Sequence, residues 1–393
     1  MVYVHSFVHL YVKDNTEESD GKFEDYGIYT QVEQLNKTAL KSHGLDSNGQ
    51  LYKINSFEFY RYEDIIKKED DAGYDKTAFE KMLEIKGDSD HTKLIDMLTD
   101  LNDYSIGIED VLKEHFDEEN IVYWMAFQIL MGNVDTQNRN VYLYSPLNSD
   151  IWYFIAWDND GCLMRSEYEL KNFSDQGSWE KGISNYWGNV LFQRCLKSRS
   201  FREKLNDAIL ELREYLNKDM LISKIESYKN VLKPYLYSMP DAEYEPLTSE
   251  QYDQIVASLP DEIEKNYKLY LESLETPMPF YIGVPTIDGN KLKFNWDVSY
   301  DLDAEDITYS VEVARDYLFQ DVIYHNTTLT VPETEMDLPE AGQYFVRIRA
   351  TNTSGKTQDA FDYYVTDEGK HYGMKCFYIT EDSTVEEDNY EEG

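Results

Sequence analysis

The sequence predicts an α+β protein in two parts, a mainly helical stretch broken by small β-hairpins and an all-β sandwich behind it. Three observations carry this. Apolar residues recur at helical spacing between residues 63 and 274, as in Leu94, Met97, Leu98 and Leu101. After Pro277 and Pro279 the pattern changes to short alternating segments, punctuated by Asp288-Gly289-Asn290 and Gly342. The 393 residues are 41% hydrophobic and 15% aromatic, which excludes a disordered acidic chain and is enough to fill a core in each part.

The elements follow in order. Residues 3–12 and 26–33 read as two strands of a hairpin around the polar loop Lys13–Asp25. Gln34–Leu40 predicts a short helix stopped near Gly44, and Leu51–Tyr60 returns to strand-like alternation. Residues 63–115 predict amphipathic helices, with Phe79, Met82, Leu83 and Ile85 on the apolar face of one. Residues 118–131 predict a central buried helix. Glu118 and Glu119 suit its N-terminal dipole, Gly132 suits its stop, and apolar side chains cover most of its circumference. A polar loop, Asn133–Asn140, leads into a hairpin, Val141–Tyr144 and Ile151–Trp157. Helical periods resume from Val190 to Leu236 and from Leu247 to Leu274, with a break at Pro260. Residues 381–393 carry seven acids in thirteen and predict a disordered end.

Composition removes several functions. Lys and Arg number 37 against 76 Asp and Glu, a net charge of −39. Nucleic-acid phosphates and anionic membranes both demand the opposite sign, so no nucleic-acid partner is expected. Cys162, Cys195 and Cys376 are too scattered for a disulfide framework or a Cys-x-x-Cys metal site. No apolar run approaches the ~20 residues of a membrane span. The first residues lack the basic and apolar regions of a signal peptide. The seven histidines give no His-Glu-x-x-His, and His5 and His9, four apart in a strand, stand roughly 13 Å apart.

The informative stretch is Asn133-Val134-Asp135, then Asn140, a hairpin, and Asp158-Asn159-Asp160. Asp-x4-Asn alone recurs by chance, but the order helix, Asp-x4-Asn, hairpin, Trp-Asp-x-Asp strengthens the signal considerably. Protein-kinase-like phosphotransferases use this layout. One Asp orients or deprotonates the acceptor hydroxyl, while Asn and a later Asp hold the Mg²⁺ ions that neutralise the phosphates. Asp158 to Glu167 also partly matches a calcium-binding EF-hand loop. Its first ligand position would fall on Ala156, which cannot ligate, and a strand precedes it.

Gly132-Asn133, Asp135, Asn140 and Tyr142, followed by Trp152, Phe154-Ile155 and Trp157-Asp158-x-Asp160, resemble the spore coat protein H (CotH) kinase family. Tyr26-Gly27-Ile28-Tyr29 with Glu33-Gln34, then Gly49, Leu51-Tyr52-Lys53, Asn189 to Leu196 and Phe201-Arg202, extend the resemblance over about residues 1–276. It implies an atypical protein kinase-like lobe that transfers phosphate from ATP, with Mg²⁺, to Ser of a secreted, cell-surface or spore-coat protein. By that match Asp135 is the catalytic residue, Asn140 is a metal ligand and Asp158 the principal one, and Asp160 is a second candidate for the metal or for structure. Glu33 and Gln34 lie near the hinge that borders the nucleotide, and Lys53 is the candidate substitute for the nucleotide-binding lysine. Lys53 stands either as the phosphate-binding cation or as a solvent-facing strand lysine. Glu33 points either into the cleft or at a surface lysine. The family's front β-lobe is represented only by its last hairpin. The alternative is therefore a non-catalytic surface protein on a kinase-like scaffold.

Behind this region the chain resembles a fibronectin type III domain. Phe294 and Trp296, Tyr309, Val311 and Val313, and Leu338, Gly342, Tyr344, Val346 and Ile348 carry that likeness. The expected boundaries are a β-lobe remnant and hinge at 1–45, a kinase-like lobe at 46–278, the sandwich at 279–368 and an acidic tail at 369–393. Trp179, Tyr186 and Trp187 either shape an acceptor groove or pack beneath a loop.

Overall fold

The structure is a computed structural model that describes residues 5–16, 21–171 and 176–387. Its contacts divide the chain into two compact units, Met1–Glu167 with Ser198–Lys265, and Tyr168–Lys197 with Asn266–Gly393.

The first unit opens with an antiparallel hairpin, β1 (His5–Lys13) and β2 (Phe23–Val32). Two strands alone are marginally stable in water. Gly27 anchors this pair from a left-handed turn (φ 83°), where the Ile28 N–H donates to the Asp241 carboxylate at 3.2 Å. Helix α1 (Lys37–Ser42) is capped by Asn36, which accepts from Thr38 and Ala39. Then come β3 (Gln50–Ile54), α2 (Lys76–Met82), β4 (Leu83–Ile85), α3 (Thr92–Asn102), α4 (Ile108–His115), α5 (Glu118–Met131), β5 (Val141–Ser145) and β6 (Tyr153–Ala156). The strands form one antiparallel sheet in the order β4-β3-β5-β6. One face carries Leu51, Tyr142, Tyr144 and Ile155, and Leu35, Ala39 and Leu40 from around α1 cover it.

Helix α5 forms as its sequence dictates. Asp117 caps it, two glutamates fill the first turn, and Gly132 ends it at φ 65°. Eight of its fourteen residues are buried, and it packs along α8 and β6. The chain leaves this unit through α6 (Arg165–Lys171), and α7 (Val190–Lys197) belongs to the second unit. Helices α8 (Arg199–Tyr215), α9 (Lys218–Leu236) and α10 (Ser249–Ser258) then return to the first. Helix α11 (Glu262–Glu275) starts there and continues into the second.

Two elements differ from the sequence expectation. Leu83 and Ile85 belong to strand β4, not to a helix, because their backbone pairs with Ile54 and Tyr52 of β3. The strand expected over Leu51–Tyr60 stops at Ile54. Its partners β4 and β5 both begin opposite Ile54, so the regular ladder ends there and only isolated backbone hydrogen bonds, to Met82 and Asn138, continue beyond it. Residues beyond it form an irregular strap in which Phe57 and Phe59 are buried.

The second unit is all-β after α11. A six-stranded sheet runs in the order Val322–Leu329, Ile307–Ala314, Gly342–Asn352, Met374–Ile379 and Val385–Glu387, with Thr357–Asp359 also paired to the long strand Gly342–Asn352. A three-stranded sheet joins Glu333–Asp337, Lys291–Asn295 and Thr286–Asp288. Trp296, Tyr309, Val311, Val346, Ile348 and Phe377 fill their common core. The Tyr344 hydroxyl donates to the Glu340 carbonyl at 2.8 Å, pinning the start of the long strand. The tail expected from residue 369 instead holds three strands, Gly369–Tyr372, Met374–Ile379 and Val385–Glu387. Met374, Cys376, Phe377 and Ile379 bury against the neighbouring strand, a pattern the acidic composition masked. The rest of that expected tail lies outside the described residues. Trp179, Tyr186 and Trp187 are buried within this unit, with Trp179 edge-on to Phe361 and Trp187 stacked on Tyr300. No helix among the described residues is long and apolar enough to cross a membrane.

Candidate active site

Two loops meet where α5 and β6 end. The first turns at Gly132 into a short 3-10 turn, Val134–Thr136, that carries Asp135. Asn133 caps that turn, accepting from the Asp135 N–H at 3.3 Å. The second loop follows β6, with Asp158 at φ 53° leading into the 3-10 turn Asn159–Gly161. Asn140 also lies in the left-handed region, at φ 58°. Asn and Asp tolerate that conformation better than other side chains, which suits these residue types to both corners.

An amide network, buried at Gln128 and Asn133, joins the loops. The Asn133 amide donates to Gln128 Oε1 at 3.1 Å and to Asn159 Oδ1 at 3.3 Å, and Gln128 Nε2 donates to Asn159 Oδ1 at 3.1 Å. The Leu163 N–H donates to the Met131 carbonyl at 2.8 Å. Any side chain at Gly161 would place its Cβ 3.1 Å from Asn133 Oδ1, so glycine permits the close approach. The geometry is thus set by helix, hairpin and amides rather than by mobile side chains.

Asp135 is gripped on both oxygens. Arg139 Nε lies 2.9 Å from Oδ1, and Asn140 Nδ2 donates to Oδ2 at 3.0 Å. Partial burial and the Asp160 charge push the Asp158 carboxyl above the usual range. Lys53 opposes that rise, while Asp135 and a hydrogen bond with Asp160 add to it. Asp135, Asp158, Asp160 and Lys53 therefore share one electrostatic neighbourhood, and Asn140 joins it through Asp135. Lys53 enters from β3, directly opposite Tyr142 of β5. The Glu33 carboxylate is engaged by other partners, 2.7 Å from His43 Nε2 and 3.4 Å from Ser42 Oγ. Gln34 is exposed beside it.

The donor set suits a hard dication. Asp158 and Asp160 are two carboxylates held in mutual repulsion, and Asn140, whose nitrogen faces Asp135, retains its carbonyl oxygen as a donor. Among the described residues no group of three His, Cys, Asp or Glu side chains forms a metal cage. Mg²⁺ does not require one, because it ordinarily takes one or two carboxylates and completes its shell with water and phosphate oxygens. Sequence reasoning missed Gln128 and Asn159, which hold the loops together. Gln128 did leave a signal, as an amide inside an otherwise apolar run.

The fold and site define a mainly helical α+β unit with two acid-bearing loops at one end of a four-stranded sheet. The family described as CotH kinase protein matches residues 1–270, and the chain belongs to that family. No curated protein matches. Among solved structures, domains 1–6 of the surface layer protein SbsC match at 11% identity with a TM-score of 0.14, covering 84% of this chain and 41% of that one. The chain thus spans about two fifths of that protein, and a likeness this low carries no argument about fold or function.

Proposed function

We propose that this protein transfers the terminal phosphoryl group of ATP to a Ser hydroxyl of a secreted, cell-surface or spore-coat protein. The observation that supports this best is the common neighbourhood of Asp135, Asn140, Asp158, Asp160 and Lys53 at the meeting of two rigidly tied loops. Phosphoryl transfer asks little covalent chemistry of a protein and much positioning and charge placement. Asp135 would accept the hydrogen bond of the entering hydroxyl and take its proton as the new oxygen–phosphorus bond forms and the bond from phosphorus to the departing ADP oxygen breaks. The grip of Arg139 and Asn140 fixes the direction of its lone pairs. Asn140, Asp158 and Asp160 would hold Mg²⁺, which when bound neutralises charge on the phosphates. The Lys53 charge acts on Asp158 against the rise in its carboxyl, and Lys53 would face the phosphate chain. Glu33 and Gln34 would border the base through their peptide groups, because the Glu33 carboxylate is already engaged. The fibronectin type III-like unit would present or space the catalytic one.

The test is phosphate incorporation from ATP into serine-bearing surface or coat proteins, with Asp135→Asn alongside. The expected outcome is incorporation by the parent chain and its loss, by orders of magnitude, in the variant. Equal incorporation by both would remove Asp135 from the chemistry. No thermal shift with millimolar ATP and Mg²⁺ would favour the non-catalytic scaffold, since a ligand at ~100 times its Kd stabilises by about 2.7 kcal/mol.

A further inference from the structure

We propose that Glu58 is a positioning residue that clamps the loop between Asp135 and Asn140 from outside the site. The proposal rests on the phosphotransfer reading for its kinetic consequence, though not for the clamp itself. Glu58 belongs to the strap that follows β3 and lies far from the motif in sequence. Its Oε1 accepts from Asn138 Nδ2 at 2.6 Å, and its Oε2 accepts from the Tyr62 hydroxyl at 2.7 Å. The neighbouring Phe57 N–H donates to the Asn138 carbonyl at 2.8 Å. Asn138 is therefore held at both its side chain and its backbone. Through it the whole turn between the candidate base and the candidate metal ligand is held as well.

The strap is built to be stiff. Phe59 and Tyr62 both occupy the left-handed region, at φ 63° and 38°. Bulky aromatic residues adopt such angles only where their surroundings over-determine them, and such strain clusters at functional sites. Here the surroundings do so. Phe59 is buried with its ring near Phe57 and Phe154, and its carbonyl accepts from Asn102 Nδ2 at 3.0 Å. The Arg61 guanidinium donates to the Ile66 carbonyl at 2.8 Å, and the Ile65 and Ile66 N–H groups close back on the Tyr62 carbonyl. Both Glu58 oxygens have donors. Glu58 therefore serves as a brace for the loop rather than as another metal ligand. Misplacing a catalytic group by about 1 Å can cost 100-fold in rate, so a brace on this loop acts on turnover.

The experiment compares Glu58→Ala, Glu58→Gln and Tyr62→Phe in the full chain. The glutamine of Glu58→Gln keeps an acceptor for Asn138, and its amide can donate to the Tyr62 oxygen, so the clamp geometry survives without the charge. Two readouts are taken. Amide hydrogen exchange over residues 133–140 should quicken at least tenfold in Glu58→Ala, less in Tyr62→Phe, and stay at the parent rate in Glu58→Gln. Turnover should fall 10- to 100-fold in Glu58→Ala with KM for ATP within about threefold, and Glu58→Gln should restore it. Unchanged loop exchange in Glu58→Ala overturns the clamp. So does equal impairment of Glu58→Ala and Glu58→Gln, which would make the charge, not the geometry, the active feature. If the parent chain incorporates no phosphate, the phosphotransfer reading fails while the exchange result still decides the clamp.

Discussion

The sharpest perturbation of the site is Asp158→Asn. Asparagine keeps the size and tolerates the left-handed backbone at φ 53°, whereas alanine would add about 1–2 kcal/mol of backbone strain and confuse the result. The carboxyl of Asp158 is raised by burial and by Asp160, with Asp135 adding to the repulsion. A raised carboxyl means the folded chain binds its proton more tightly than the unfolded chain does. The ionised form therefore weakens the fold above the raised value, and that penalty disappears as pH falls to the unfolded value near 3.8. The group is solvent-exposed, so screening reduces the gain from neutralising it to about 0.2–1 kcal/mol. For a unit of about 200 residues that is a rise in Tm of about 0.4–4 °C at pH 7 in EDTA. A divalent ion should do the opposite to each chain, raising the Tm of the parent and leaving Asp158→Asn nearly unmoved. Differential scanning fluorimetry between pH 3.5 and 8 measures both. A loss of stability in the variant at pH 7, or a gain that persists below pH 4, would show that the carboxylates are not in conflict.

Two further substitutions test how the site and its flank are held. Asn133→Ala strips the buried Gln128 amide and the Asn159 side chain of a shared partner and should cost about 1–3 kcal/mol, read as a lower urea midpoint at unchanged slope. Gly27→Ala would put a Cβ 2.5 Å from the Asp241 carboxylate at a φ of 83°, so the β1–β2 hairpin should detach. Limited proteolysis should then cut between residues 13 and 27 faster than in the parent, and equal rates would mean that Asp241 does not anchor it.

The parts of the fold legible in the sequence are those decided locally. Helix α5 announced itself through its acidic first turn, its continuous apolar surface and Gly132, and the β5–β6 hairpin through alternation around a turn. What escaped was decided by partners distant in sequence. Leu83–Ile85 has helical spacing yet is a strand, because β3 offers it a free edge. The start of the strap, residues 55–60, alternates like a strand yet bends away where β5 begins. Residues 374–379 read as part of an acidic tail, since their burial depends on Phe345 and its neighbours in the long strand opposite. At the site, the acids and Asn140 were legible as a motif. The amide network and Glu58 were not, because single amides and carboxylates at those spacings carry no periodic signal.

The charge at the site leads to one more expectation. Asp135, Asp158 and Asp160 face Lys53 and Arg139, so three carboxylates outweigh two cations before any nucleotide arrives. The chain around them carries a net −39. A triphosphate approaching this surface meets repulsion that Lys53 alone cannot offset, and screening weakens but does not reverse it. Nucleotide affinity should therefore depend steeply on a divalent ion, more steeply than in a site furnished with several lysines. Titration calorimetry with ATP in EDTA should give no measurable heat, and ATP with Mg²⁺ should restore binding. Lys53→Gln should weaken the Mg²⁺-dependent binding by at least tenfold while leaving Tm within a few degrees. Tight binding in EDTA would mean that cations outside this neighbourhood hold the phosphates, and the assignment of Lys53 would then have to be abandoned.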